Sequence, residues 1–271
     1  MAKAISGFTK REGISSINQS AWVLRRIVFY FLLVILWQVI AIAGIWPDWL
    51  FPGPIAVLNA LVNGFQNGQF LQATLLSLQR LAIGYGISLV IGVTLGLLLG
   101  RSLLLEQTLG SLVLGLQALP SVCWLPLAIL WLGLTDQAII FVVVMGALFS
   151  ITLGVDAGVK NTPPIYLKAA RNLGARGVAL SVQVILPAAL PAILNGLKQG
   201  WTFAWRSLMA GELLFFTISL GNLLNTGRDL NDASQIMAVM LLIIAIGVAI
   251  DSLIFSPIER RVRERWGLVR S

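Results

Sequence analysis

Long uncharged runs divide the chain. Ile27–Pro47, Leu81–Gly100, Gln107–Thr135, Gln137–Val155 and Ala233–Ile250 contain no Asp, Glu, Lys or Arg. A sixth apolar stretch, Pro187–Phe216, is interrupted by Lys198, Arg206 and Glu212. About 20 mostly apolar residues in helix cross a bilayer core. The pattern therefore predicts an all-α integral membrane protein with six transmembrane helices. Their cores are expected at 27–46, 78–100, 110–133, 137–157, 190–216 and 234–255. Ala41-Ile42-Ala43 resembles a signal-peptide cleavage site, but 26 residues precede that apolar run, which is long for a signal n-region. The first run is therefore expected to stay as a helix.

The polar–apolar rhythm changes between the first two spans. Phe51-Pro52-Gly53-Pro54 reads as a turn, with Pro54 suited to a first helical position. Leu58, Leu61, Val62 and Phe65 then repeat at helical spacing, with Asn59, Asn63, Gln66 and Asn67 opposite. This predicts a short amphipathic helix on the outer surface, either touching the membrane or packed as a loop helix. Span two carries Gly84, Ser88, Gly92, Gly96 and Gly100 at four-residue intervals. Such a stripe lets two helix backbones approach closely. Span three carries Pro120 and Pro126. Each proline frees a backbone carbonyl that lipid cannot satisfy. The segment with Pro120, Ser121 and Trp124 is therefore expected to face protein or a water-filled cavity. A broken helix at that depth suits a translocation path, and a simple packing kink is the rival.

Composition narrows the chemistry. Of 271 residues, 58% are hydrophobic and only 11% charged, too few to coat a soluble globule. His is absent, which removes His-based acid–base and nucleophile chemistry and most zinc sites. The single cysteine, Cys123, allows no intrachain disulfide. The net charge is +8, and its placement argues for membrane lipid rather than nucleic acid as partner. Lys3, Lys10, Arg11, Arg25 and Arg26 precede the first span, and Arg260, Arg261, Arg263, Arg265 and Arg270 follow the last. Lys160, Lys168, Arg171 and Arg176 lie between spans four and five, and Arg101 follows span two. Six spans put all of these on one side, and Asp48, Asp136, Asp229 and Asp232 on the other with Arg80 and Arg228. The positive-inside rule then makes both termini cytoplasmic. The expected organisation is a cytoplasmic tail at 1–26, a membrane domain at 27–257 with a cytoplasmic loop at 158–187, and a second tail at 258–271.

Arg206 and Glu212 fall inside span five. A charge at the bilayer centre costs roughly 2.5–3.5 kcal/mol on insertion scales. The two lie six residues apart, about 240° around a helix, so they do not pair on one face. Each needs a partner elsewhere: another span, a second copy or a solute. Arg206 has no carboxylate at i±3 or i±4, where Thr202, Phe203, Met209 and Ala210 stand. A transported anion is a plausible partner, since guanidinium matches oxyanions through paired donors. Trp201 and Trp205, with Trp124 of span three, could narrow such a path. The rival for both charges is an interhelical bond.

The loop between spans four and five carries the most specific pattern. Pro163 and Pro164 can start a short helix through Leu173, and Gly174 suits a left-handed helix end. A second short helix is expected from Val178 to Leu186, ended by Pro187. Two short helices outside the membrane have no core of their own and should dock on something. Lys168-Ala169-Ala170, Gly174, Val184 and Leu186-Pro187 match the spacing of a known motif. They resemble the coupling loop of permease subunits of ATP-binding-cassette importers, with Lys168 where that family usually has Glu. The similarity extends to Phe51-Pro52, Ser77-Leu78 with Arg80 and Gly84, Leu125-Pro126-Leu127, Trp131-Leu132-Gly133 and Ala210-Gly211-Glu212. It is greatest for the nitrate, sulfonate, taurine and bicarbonate branch, aliphatic sulfonate permeases first.

The resemblance implies a type I importer permease fold in a bacterial inner membrane. It implies a homodimer with two ATPase subunits and an extracytoplasmic solute-binding protein. It also implies alternating access, with Lys168, Ala169, Ala170, Arg171, Gly174, Leu186 and Pro187 carrying ATPase motion to the spans. The sequence agrees that the motor is separate. A P-loop needs Gly-Lys followed by Ser or Thr, and the five Lys residues precede Ala, Arg, Asn, Ala and Gln. This chain is therefore expected to be no enzyme and to hold no cofactor or metal, ATP and Mg belonging to the partners. The alternatives are a stand-alone anion channel or ion-coupled carrier, and an intramembrane enzyme. The carrier is weakened by having only Glu212 and Asp251 as buried titratable candidates, the enzyme by the lack of His and of a carboxylate cluster.

Overall fold

The computed structural model describes residues 9–266, with side chains from residue 22. The basic residues Lys3 and Arg270 lie outside the described residues, and the side chains of Lys10 and Arg11 lie outside them too. Ten helices run in order: α1 Thr9–Ile42, α2 Pro54–Gln66, α3 Gln69–Leu99, α4 Leu103–Gln117 and α5 Ser121–Leu132. Then come α6 Asp136–Lys160, α7 Pro164–Asn172, α8 Gly177–Glu212, α9 Leu220–Asp229 and α10 Ala233–Arg265. Among the described residues, five helices are long and apolar enough to cross a membrane, and the α4–α5 pair makes a sixth if counted as one span.

Span three departs from the expected straight core at 110–133. Its two arms are bent by 99°. The break falls at Pro120, which has no N–H for the ladder and pushes Leu119 away from helical geometry. Pro126 breaks nothing, because it sits in the first turn of the α-helical part of the second arm, Leu125–Leu132, which follows a 3-10 turn at Ser121–Trp124. Two further boundaries differ. Pro187 does not end a short helix: the chain stays helical from Gly177 to Glu212 through a π turn at Ser181–Ile185. The helix of span five stops at Glu212, not 216.

The described residues form two compact units, 9–63 with 227–238, and 64–226 with 239–266. In the first, the Trp37 indole N–H donates to the Pro52 carbonyl at 3.1 Å, fixing the turn after α1. Apolar side chains of α1 from Trp22 to Leu36 are exposed, as a lipid-facing span requires. On α2 the predicted apolar residues Leu58 and Val62 are also exposed, while Val57 of the same helix is buried.

The second unit is built around α6. Ile139, Val142, Val143, Ile151 and Val155 of that helix are fully buried. The small-residue stripe of α3 lies along it. A Cβ added to Gly84 would come within 2.7 Å of Val143, and one on Gly100 within 2.6 Å of Val159. The stripe is therefore a packing seam. On its other side α6 meets α8 equally closely, Gly154 against Gly196 and Gly146 against Ser207. Backbone proximity of this kind replaces the hydrophobic effect, which is absent between helices in lipid.

Candidate functional site

The loop at 163–187 folds into an elbow whose shape follows from its residues. Pro163 is extended and Pro164 opens α7. The helix ends in a Schellman turn: Ala175 N–H donates to Ala170 C=O at 2.9 Å, and Gly174 N–H to Arg171 C=O at 3.0 Å. Gly174 takes φ +90, which a residue with a Cβ resists. Ala170 is buried under the turn, so the alanine and the glycine four residues later belong to one device. The Arg101 guanidinium donates to Gly177 C=O at 3.1 Å and ties the elbow to the end of α3. Outward, the elbow shows apolar side chains that nothing among the described residues covers: Ile165, Tyr166, Val178 and above all Leu173, 89% exposed. Lys168, Ala169 and Arg171 are exposed beside them, and Lys168 and Arg171 make no ion pair among the described residues. Leu186 is half-buried and Pro187 exposed at the entry to the membrane part of α8.

Glu212 lies at the end of α8 with no exposed surface. Ser77 Oγ donates to its carboxylate at 2.7 Å, Arg80 Nη1 at 3.2 Å and Gly221 N–H at 3.2 Å. Arg80 also reaches Asp136 at 3.0 Å and the Ile218 carbonyl at 3.2 Å. Ser77 Oγ accepts from Leu220 N–H at 3.0 Å. This knot joins α3, the start of α6, the end of α8 and the start of α9. It places Glu212 inside packed protein, where it does not line an open path. The partner, Arg80, is 132 residues away and reads in the sequence only as a span-end cation.

Arg206 has the opposite surroundings. It is exposed and has no hydrogen bond or ion pair among the described residues. Exposed with it on α8 are Asn195, Gln199 and Thr202, which the sequence reading passed over although their spacing was visible. At the span-three break, a cavity of about 100 Å³ is lined by Gln117, Pro120, Ser121, Met145, Phe149 and Phe203. The broken helix thus faces a cavity, with Pro120 and Ser121 on its wall. Trp124 is elsewhere: it stands edge-on to Phe141, ring centroids 6.3 Å apart, and packs against the core. Midway along α10, Asp251 pairs with Lys198 of α8 at 2.9 Å.

An apolar helical unit with a broken span and a loop elbow has the form of a multi-span membrane protein. The chain belongs to the family of binding-protein-dependent transport system inner membrane components, whose profile matches residues 88–264. A Methanocaldococcus jannaschii protein classed as an ABC transporter permease is 32% identical over 89% of this chain and 92% of its own. The nitrate import permease NrtB of Leptolyngbya laminosa is 29% identical over 71% of this chain and 68% of its own. The taurine transport system permease TauC of Escherichia coli is 28% identical, covering 88% of each chain. Among solved structures, the inward-facing MetNI methionine ABC transporter matches with a TM-score of 0.63 at 21% identity, over 72% of this chain and 96% of that one. The fold is accordingly that of a type I ABC importer permease in the inner membrane.

Proposed function

We propose that this chain forms the translocation path of an ATP-driven importer for a small oxyanion of the nitrate, sulfonate, taurine or bicarbonate type. Two copies make the membrane part, and both termini are cytoplasmic. Two separate ATPase subunits, which use ATP and Mg, dock on the elbow at 163–187. An extracytoplasmic solute-binding protein delivers the anion. Pro120, Ser121 and Arg206 belong to the path, while Glu212 holds the helix that carries Arg206. The elbow is the observation that carries this reading: a rigid turn outside the membrane, tied back by Arg101, presenting uncovered Leu173, Ile165 and Tyr166. Such a surface is stable only against a partner.

The substitution Gly174→Val tests it. A β-branched residue at φ +90 costs about 1–3 kcal/mol of local strain and deforms the turn. The complex of permease, ATPase and binding protein should still insert, while ATP hydrolysis stimulated by the loaded binding protein is lost. Normal stimulation in that variant would show that the elbow does not couple the ATPase to transport.

A further inference from the structure

The polar side chains of α8 gather on one exposed line. Asn195, Gln199, Thr202 and Arg206 are spaced 4, 3 and 4 residues apart and all are exposed. At 100° per residue they fall within an arc of about 60°, and they climb about 16 Å along the helix. A side of α8 about 110° round from the arc is pinned to α6 through Gly196, Gly200 and Ser207, so rotation cannot hide the arc. The side chains of Asn195, Gln199 and Arg206 have no partner among the described residues, and the Thr202 hydroxyl bonds only the Lys198 carbonyl of its own helix. Hydrocarbon is no surrounding for such a line, because an unpaired guanidinium there is costly. The exposed side of α10 shows what lipid accepts: Leu241, Ile244 and Val248. Phe203, the neighbour of the arc around the helix, is also a wall of the cavity at the Pro120 break.

The arc is richer in donors than in acceptors. A guanidinium supplies five N–H donors and each amide two more, against two amide oxygens and one hydroxyl oxygen, and no acid stands among them. Donors around a fixed cation suit an oxyanion, whose oxygens accept several bonds at once. A second copy presenting the same arc would set like charges across a shared path, which further favours an anion between them. We propose that Asn195, Gln199, Thr202 and Arg206 form the oxyanion-contacting face of the path, with Arg206 as its charge anchor. This rests on the importer reading and assigns the substrate contacts within it.

The test uses the full complex in proteoliposomes. Nitrate, taurine, ethanesulfonate and bicarbonate are offered to the wild type, and the anion taken up with ATP becomes the probe. Arg206→Gln should lower uptake roughly tenfold or more, the scale of a lost charge-assisted bond. Its thermal midpoint should stay, and Arg206→Lys should recover part of the uptake. In a Cys123→Ser background, Gln199→Cys and Thr202→Cys should react with a negatively charged methanethiosulfonate, and the probe anion should slow that reaction. Val248→Cys, on the apolar side of α10, should not react. Wild-type uptake in Arg206→Gln, or silence at 199 and 202, overturns the assignment and leaves the importer standing. If Arg206→Gln fails to assemble, the labelling decides alone. Uptake of none of the four anions by the wild type overturns both.

Discussion

Two charges six residues apart on α8 meet opposite fates. Glu212 is sealed in protein and satisfied by Ser77, Arg80 and the Gly221 amide. Arg206 stands on the outside of the same helix, without a partner. Both face the same cost of leaving water. The chain meets it for Glu212 with its own groups, and the knot so formed joins four helices. It does nothing of the kind for Arg206. A charge that the fold has compensated reports on architecture. One that the fold leaves open reports on what the protein meets from outside.

The largest expected effect comes from breaking the compensated charge. Glu212→Leu leaves Arg80, 5% exposed, with only the Asp136 carboxylate and a carbonyl, and strands Ser77 and the Gly221 amide. Removing one partner of a buried pair costs about 3–5 kcal/mol. The thermal midpoint of the purified protein should fall sharply, and Arg80→Met added to Glu212→Leu should restore much of it. An unchanged midpoint in Glu212→Leu would dissolve the contrast with Arg206. A smaller effect is expected at the seam between α3 and α6. A Cβ on Gly92 would come within 2.9 Å of the Ile151 side chain. Gly92→Val should therefore cost about 1–3 kcal/mol by overpacking. Gly86, with open space at its Cβ position, is the matched control in the same helix.

The six apolar runs were legible because lipid imposes a length and a composition on every span. The stripe from Gly84 to Gly100 and the helix end at Gly174 were legible too, since each rests on local spacing and backbone freedom. Pro120 and Pro126 show where local rules stop. Pro120 breaks the span while Pro126, at the start of an α-helical stretch, does not, and the sequence does not say where that stretch begins. Pro187 misled for a related reason, because the π turn before it lets the helix continue. The bond between Arg80 and Glu212 was out of reach, as it depends on how α3 and α8 pack on α6. For Asn195, Gln199 and Thr202 the helical spacing was plain. What the sequence withheld was which side of α8 is buried.

The smallest expected effect concerns Arg206 itself, measured as stability. Its guanidinium pairs with no acid and donates no bond among the described residues, so Arg206→Gln removes little that folding created. Substitutions away from packed or paired features usually stay within about 0.5 kcal/mol. Lys198 lies two turns earlier on the same helix and supplies a scale. Its bond to Asp251, 2.9 Å long with both side chains partly exposed, belongs to a class that contributes about 0.2–1 kcal/mol. The thermal midpoint of the isolated permease should therefore shift least for Arg206→Gln, slightly more for Lys198→Met, and far more for Glu212→Leu. Should Arg206→Gln melt as early as Glu212→Leu, Arg206 holds a structural partner after all, and the division between a closed charge and an open one fails.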